Sequence, residues 1–471
     1  MTALSSRTHY FLGAASLALA LAGCAAAPAG PATPRRAATA EESARYAALA
    51  RVAQSDPKAY AMLEGLLRAA PRRLAGTPGA AAAEAWGFAT LQSLGFEAVR
   101  SEPVRVPVWI RGDVEEVMVL GADGAMEPLR ACALGLSPGT PVEGVLGEVI
   151  EVRSLEEAAS LGERGRGKVI FYNRPMNPAL EDTFAAYGGA VDQRSRGGYV
   201  AKQIGAVGAL VRSMTTRVDD HPHTGAMRAT MDDGSPVAPS AAISTRAAER
   251  LHGLLQQGPV RVRMRLSCRA EGEGMGANIV GELRGSERPQ EVVVVGGHLD
   301  AWDTGDGAHD DGAGIVHSIE ALRLLKAAGL RPKRTVRAVL FANEESGLRG
   351  GQAYAEAHRT EPHFFGVESD RGGFAPRRFQ ANWAEPQFSE LADALAPLAA
   401  IGCAQLARGG GGADLTSLER LGVSCGELIP DCAHYFDYHH AETDVLAAVD
   451  RDDLERGALA LAYFLDVVAN W

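Results

Sequence analysis

Five short stretches in the second half of the chain carry side chains able to hold a divalent cation. They are Gly297-His298-Leu299-Asp300, His309-Asp310-Asp311, Asn343-Glu344-Glu345-Ser346, Glu368-Ser369-Asp370 and His439-His440-Ala441-Glu442-Thr443-Asp444. Imidazole nitrogen and carboxylate oxygen are donors that zinc takes at about 2.0–2.2 Å. Each stretch alone has an ordinary explanation. Asp310-Asp311 precedes a helical pattern and suits its N-terminus as cap and dipole partner, and a Glu pair commonly opens a solvated helix. Those explanations do not account for the recurrence: successive strand-end loops each deliver a metal-compatible group.

The hydropathy pattern sets those loops in place. Residues 292–295 form a continuous apolar run before Gly296-Gly297, as expected of a parallel strand buried on both faces. Residues 314–328 have helical periodicity that stops at Gly329 and Pro332, and 335–341 is a second apolar run. Strand, loop, helix and strand make a βαβ unit, and open α/β sheets bind ligands at the carboxyl ends of their strands. Upstream, 41–70 reads as helix in two pieces, with Asp56-Pro57 expected to cap and open the second. A loop at 73–79, a helix over 80–94 and a strand over 96–106 follow. Between about 129 and 248 the pattern changes to short apolar runs at 147–152, 168–172, 207–211 and 238–243, bounded by Gly and Pro. This reads as a β-rich insertion with a few helices, one over 201–204, before a strand at 260–267.

Taken together, the segments 296–303, 309–314, 343–350, 368–370 and 439–444 resemble the co-catalytic di-zinc aminopeptidase family, and within it a dipeptidase-like branch. The likeness extends over nearly the whole chain beyond residue 40, including 73–79 and 329–334. The runs at 167–172 and 205–211 resemble the protease-associated domain that some peptidases carry. The resemblance implies a three-layer α/β zinc-exopeptidase fold with a mixed, mostly parallel sheet. Its N-terminal part would occupy 41–125, the protease-associated-like insertion 126–255 and the zinc peptidase domain 256–471.

The resemblance also implies roles. Asp310 would bridge two zinc ions, His298 and Asp370 would complete one site, and Glu345 and His440 the other. Glu344 would be the general base that takes a proton from the bridging water. Asp300 would hydrogen-bond His298 and fix its tautomer, and Asp311 would follow the bridging position, where the family often has an unusual peptide geometry. His440 is preferred to His439 for its spacing to Asp444. Tyr435 is a candidate oxyanion donor, with packing as the plainer reading. His309 is expected to be a loop residue, and 409–412 with Asp414 either a turn or part of the pocket.

The implied activity is hydrolysis of dipeptides, or of the N-terminal residue of short peptides. Two alternatives stand beside it: a single-zinc enzyme like the glutaminyl cyclases, and a catalytically inactive, receptor-like peptide binder. Presence of all five ligand positions and of Glu344 favours hydrolysis. A true carboxypeptidase needs a cationic clamp for the terminal carboxylate, and no one arginine stands out in the sequence. By family analogy the insertion restricts access to the site or supports a homodimer.

Bulk properties bound these readings. A chain of 471 residues, 46% hydrophobic, is long enough for two or three domains. A net charge of -11 argues against a nucleic-acid partner. At the N-terminus, Arg7 and His9 precede an apolar stretch over 10–22, and Leu21-Ala22-Gly23-Cys24 resembles a bacterial lipobox. The expectation is a signal peptide over 1–23, a flexible tether over 24–40 and a cell-envelope protein that meets the membrane only through a lipid on Cys24. The alternative is a plain secretory signal. The other cysteines, Cys132, Cys268, Cys403, Cys425 and Cys432, are scattered singly and read mostly as buried thiols.

Overall fold

The computed structural model describes residues 36–121 and 124–471. The expected signal segment, Cys24 and most of the tether lie outside them.

The first helix, α1 (Ala40–Ser55), begins in a reciprocal cap. The Thr39 hydroxyl accepts from Glu42 N, and the Glu42 carboxylate accepts from Thr39 N at 2.7 Å. Asp56 closes this helix and does not cap α2 (Ala59–Ala69), contrary to the sequence expectation. Its carboxylate is drawn instead into ion pairs with Lys58 at 2.7 Å and Arg323 at 3.1 Å. Thr77 and Pro78 open α3 (Pro78–Ser93), which leads to the long strand β1 (Glu97–Ile110).

A second set of elements follows: β2 (Glu115–Leu120), β3 (Met126–Leu129), β4 (Ala131–Ala133), β5 (Val145–Val152), α4 (Leu155–Ser160), β6 (Val169–Tyr172), α5 (Thr183–Gly188) and α6 (Asp192–Gln203). It ends with β7 (Gly208–Arg212), β8 (Ser240–Ile243), α7 (Thr245–Leu255) and β9 (Arg261–Leu266). These strands form one eight-stranded sheet in the order β3-β2-β9-β5-β6-β7-β8-β4. Strands β2 and β9 lie outside the stretch 126–255, and they join this sheet because Val117, Val119, Val262 and Met264 share a core with Val169 and Leu210. The opposite face packs Ile170, Tyr172 and Val211 against Ala158 of α4 and Val200 of α6. The helix read at 201–204 is the tail of α6.

The chain then builds β10 (Arg269–Leu283), β11 (Arg288–His298), α8 (Ala313–Ala327), β12 (Arg334–Phe341), α9 (Arg349–Ala357) and β13 (His363–Glu368). Next come β14 (Pro376–Ala381), α10 (Gln387–Ala394), β15 (Gln405–Arg408), α11 (Thr416–Arg420), β16 (Cys425–Pro430) and α12 (Arg451–Ala469). With β1 they make a mixed sheet, β1-β10-β12-β11-β13-β16-β14-β15. Its centre is parallel, β11 pairing with β12 and β13, and β13 with β16. Val293 and Val295 of β11 enter a core with Ile315 and Ile319 of α8 and Leu461 of α12. Val292 and Val294 enter another with Tyr354 of α9 and Leu418 of α11. Both faces are covered, which explains the continuous apolar run and makes three layers. Burying each of these valines is worth about 1.5–3 kcal/mol, enough to pin the register of the strand that carries His298.

The cysteines Cys132, Cys268, Cys403 and Cys425 are buried free thiols, and Cys432 is a partly buried one. Among the described residues no helix is long and apolar enough to cross a membrane.

Candidate metal centre

Parallel register brings the strand ends to one edge. His298, the last residue of β11, pairs with Phe341, the last of β12, and Gly296 pairs with Glu368, the last of β13. The loops leaving these strands carry Glu344, Glu345 and Asp370. Asp310 comes from the turn before α8, and His440 from the connection between β16 and α12. Asn343 and His440 both hold left-handed backbone, φ 62° and 63°. Non-glycine residues reach that conformation at a cost, and such residues gather at functional sites.

Asp310 stands between two groups. Its Oδ1 is 3.3 Å from His298 Nε2, which is itself 3.4 Å from Asp370 Oδ1. Its Oδ2 is 3.3 Å from His440 Nε2, which lies 3.0 Å from Glu345 Oε2. A tetrahedral ion with bonds of about 2.0–2.2 Å holds its ligands about 3.3–3.6 Å apart. Most of these spacings match coordination edges better than hydrogen bonds. Asp310 Oδ2, Glu345 Oε1 and Asp370 Oδ1 are buried without a hydrogen-bond partner. Lone pairs left that way in an apolar interior call for a cation, so the donor set fits zinc.

The two adjacent histidines divide the work. Asp310, His439 and His440 also have the spacing of a three-ligand site. His439 Nε2, however, is 3.8 Å from Asp310 Oδ2, and its ring lies flat on that of His440, centroids 3.5 Å apart. His440 alone reaches Glu345. Burial and the neighbouring His440 hold the His439 imidazole well below its ordinary value, so it is neutral.

The electrostatics follow the same division. Burial opposes charge on His298, but Asp370 and Asp310 outweigh it and hold the imidazole well above its ordinary value. Burial likewise opposes charge on His440, and Glu345 with Asp310 lifts it to about 9. Burial alone would raise Asp310, yet His298 and His440 pull it well below the carboxylate range. Burial and the nearby Asp370 and Glu345 push Glu344 well above that range, against the pull of His298. A cation held among these oxygens would relieve the repulsion and favour the ionised form of Glu344.

Main-chain contacts position the ligands. His298 Nδ1 lies 2.9 Å from the main-chain oxygen of Asp300, whereas the Asp300 carboxylate expected there is 3.9 Å away. The chain turns right after the last ladder bond, Leu299 N to Phe341 O at 2.7 Å, and presents the carbonyl to the ring. The carbonyl fixes the proton on Nδ1 and leaves Nε2 to ligate. The Asp300 carboxylate instead accepts from Glu344 N at 3.0 Å, tying the general-base candidate to β11. Asp311 accepts from His298 N at 3.0 Å and from Gly314 N at 2.9 Å, and the Asp310–Asp311 peptide is cis.

Several contributors carried no distinct signal in the sequence. Asp444, noted there only for its spacing, accepts from His309 N at 2.7 Å and Asp310 N at 3.1 Å and so holds the bridging turn. Arg73, in a loop of the N-terminal part, is buried and donates to Leu299 O at 2.6 Å and Gly307 O at 2.7 Å. From the second sheet's unit, His223 Nδ1 meets His439 O at 2.7 Å and Thr224 N donates to His440 O at 3.0 Å. His309, read as a loop residue, lies in the turn before α8, where it is buried and stacked on Phe374, centroids 4.2 Å apart. The 409–412 segment packs against a buried carboxylate, where a side chain at Gly412 would strike Glu368. Asp414 N donates to that same Glu368 at 3.4 Å.

Tyr435 lies over the site. Its buried ring has centroid distances of 5.2 Å to both Phe184 and His439. Burial, then the Asp310 and Asp370 carboxylates, hold the phenol well above its ordinary value, which keeps it a neutral donor. Its hydroxyl makes no hydrogen bond among the described residues. A small pocket opens on Asp310, Glu345 and His440 beside Trp302 and Thr304.

Comparison with known proteins places relatives beside this geometry. Residues 278–465 match Peptidase family M28. Carboxypeptidase Q of Homo sapiens is 32% identical over 425 residues, covering 90% of this chain and 87% of that protein. Carboxypeptidase Q of Xenopus laevis is 34% identical over 396 residues, covering 83% and 82%. The crystal structure of a Peptidase M28 precursor from Shewanella amazonensis SB2B superposes with a TM-score of 0.87 at 34% identity, covering 92% of this chain and 97% of its own. A zinc aminopeptidase from Bacillus subtilis shares the fold, with a TM-score of 0.64 at 17% identity, covering 87% and 94%.

Proposed function

We propose, for a chain that belongs to peptidase family M28 and is a metallopeptidase, that it hydrolyses dipeptides or the N-terminal residue of short peptides at a two-zinc centre. The observation that carries this reading is Asp310, one oxygen turned to His298 and Asp370 and the other to His440 and Glu345. Those five residues would hold the ions. When bound, zinc supplies Lewis acidity toward the scissile carbonyl and acidifies the attacking water.

The chain's own groups do the rest. Glu344 takes a proton from the attacking water and returns it to the leaving amine; its main chain is pinned by Asp300, and its carboxylate has no partner among the described residues. Tyr435 donates to the oxyanion that develops on the carbonyl. The excess of acids around the centre suits a substrate that brings a free α-ammonium. Residues 115–266, the protease-associated-like unit of this proposal, wall the His440 side.

Assaying the purified protein on a dipeptide panel, as prepared, after chelation, after zinc is returned and as Glu344→Gln, tests the reading. Chelation abolishes turnover and zinc restores it. Glu344→Gln lowers kcat by about 10²–10⁴-fold, the usual share of a general base, while two zinc ions per chain remain. One ion at full activity would favour the single-zinc alternative. Two ions with no turnover of any peptide would sink the hydrolase reading.

A further inference from the structure

Arg194, on α6, is a buried cation with nothing of opposite charge beside it. It is 6% exposed, its Nε is buried without a hydrogen-bond partner, and it enters no ion pair among the described residues. Among the other buried arginines, Arg212 pairs with Glu249, Arg323 with Glu320, Arg334 with Glu291 and Arg337 with Glu282, while Arg73 gives its donors to the main-chain carbonyls of Leu299 and Gly307. Tyr187 is a neutral neighbour: its ring lies 5.4 Å from the Arg194 guanidinium carbon, its hydroxyl is within reach of that guanidinium, and burial holds the phenol above its ordinary value against the pull of Arg194.

The remaining neighbour is His440. Arg194 Nη1 lies 3.4 Å from His440 Nδ1, and that nitrogen is 3.3 Å from Thr224 O. A His440 whose Nε2 lone pair faces Asp310 and Glu345 carries its proton on Nδ1 and donates it to Thr224. Two donors then face each other, so His440 gives Arg194 no acceptor. The close approach is built in. Gly225, at φ +130°, sits where a Cβ would crowd Arg194 Nη1 and come within 2.7 Å of His440 Nδ1. A buried charge left without a counter-charge is costly, and such groups gather at functional sites.

We propose that Arg194 binds the α-carboxylate of the residue on the leaving side of the scissile bond, so that the enzyme selects dipeptides over longer peptides. This deepens the peptidase reading and rests on it. One residue spans about 3–4 Å from the scissile carbonyl carbon to its own carboxylate carbon. A guanidinium–carboxylate hydrogen bond adds about 2.7–2.9 Å. That reach carries a substrate past one imidazole ring, from the Asp310 and Glu345 side of His440 to Arg194. A further residue places its carboxylate about 3.3–3.6 Å beyond. The planar fork of arginine suits a carboxylate, and it reaches the centre from the second sheet's unit, giving that unit a part in substrate choice.

Steady-state kinetics on a dipeptide, its C-terminal amide and an aminoacyl arylamide, with wild type, Arg194→Gln and Arg194→Lys, test this. Wild type prefers the free acid over the amide by on the order of 100-fold in kcat/KM, mostly through KM. Arg194→Gln loses that preference, turnover of the acid falling by far more than turnover of the amide, and Arg194→Lys keeps part of it. Equal turnover of acid and amide by wild type overturns the clamp, and does so even where the variant fails to fold. An equal loss on acid and amide in Arg194→Gln also overturns it, because a structural role moves both. Calorimetric titration of Glu344→Gln with acid and amide reads the contrast without turnover. Discrimination by an enzyme whose wild type cleaves nothing would overturn the peptidase reading and leave the clamp. Cleavage of all three without preference would do the reverse.

Discussion

At the scale of single residues, the proposed centre separates groups that would hold ions from groups that would react, and the proposal sets Tyr435 with the second. Its ring is fixed by Phe184 and Phe436, each 5.2 Å away between centroids, and those contacts do not need the hydroxyl. Tyr435→Phe should therefore keep its packing, zinc content and melting temperature. Removing one donor aimed at a developing oxyanion costs about 10²–10³-fold in kcat, and we expect that loss with KM nearly unchanged. Unaltered kcat in a rate assay would return Tyr435 to the packing role that the sequence also allowed. That His298, Asp310, Glu345, Asp370 and His440 would come together was legible because parallel strands bring their ends to one edge whatever their loops do. The Asp300 contact was only half legible. Whether a residue two positions past a strand offers its carbonyl or its carboxylate depends on the turn, and here the carbonyl takes His298 while the carboxylate takes Glu344 N.

At the scale of elements, α8 joins the centre to the core, and its burial was less readable than its existence. The periodicity over 314–328 gave the helix to within a residue, but His317 on it is enclosed because α12 covers that face from far along the chain. His317 Nε2 is 3.0 Å from Leu454 O and Nδ1 is 3.0 Å from Ser369 Oγ, the contacts of a neutral ring that donates once and accepts once. Burial lowers its pKa from 6.5 to about 4. The unfolded chain thus binds a proton that the native state refuses between those values. The contribution is complete above pH 6.5, shrinks as pH falls, and changes no further below about 4. It reaches roughly 3 kcal/mol, from a shift of about 2.5 pH units at 1.36 kcal/mol each. His223 and His309, also held near 4 by burial, add slope of the same sign. Urea midpoints measured from pH 7 to 4 should fall for wild type and fall less for His317→Gln. Identical slopes would show that His317 takes up its proton without unfolding.

At the scale of the whole molecule, the second sheet's unit is a structural part of the candidate metal centre. Arg111, at the junction of the two sheets, bonds Asp303 of the loop after β11 at 2.6 Å and Glu115 of β2 at 2.8 Å. His223 and Thr224 hold the 439–440 turn by its carbonyls. None of this was legible, because residues 216 positions apart in sequence meet only when both sheets are formed, and nothing in 220–226 marks a site by itself. Gly225 is the most sensitive point of the junction, since a methyl group there meets both Arg194 and His440. Gly225→Ala should push His440 from Glu345 and leave the His298–Asp370 side intact, as those ligands hang from the first sheet alone. The expected result is loss of one of two zinc ions on dialysis against a weak chelator. A displacement near 1 Å costs on the order of 100-fold in rate, and kcat should fall by about that much while the circular dichroism spectrum is retained. Gly253→Ala in α7, with open space around it, is the control and should change neither property. If Gly225→Ala keeps both ions and full kcat, Arg194 alone has moved aside. The same variant should then lose selectivity for the free dipeptide over its amide, which separates the metal-holding task of this junction from its substrate-reading task.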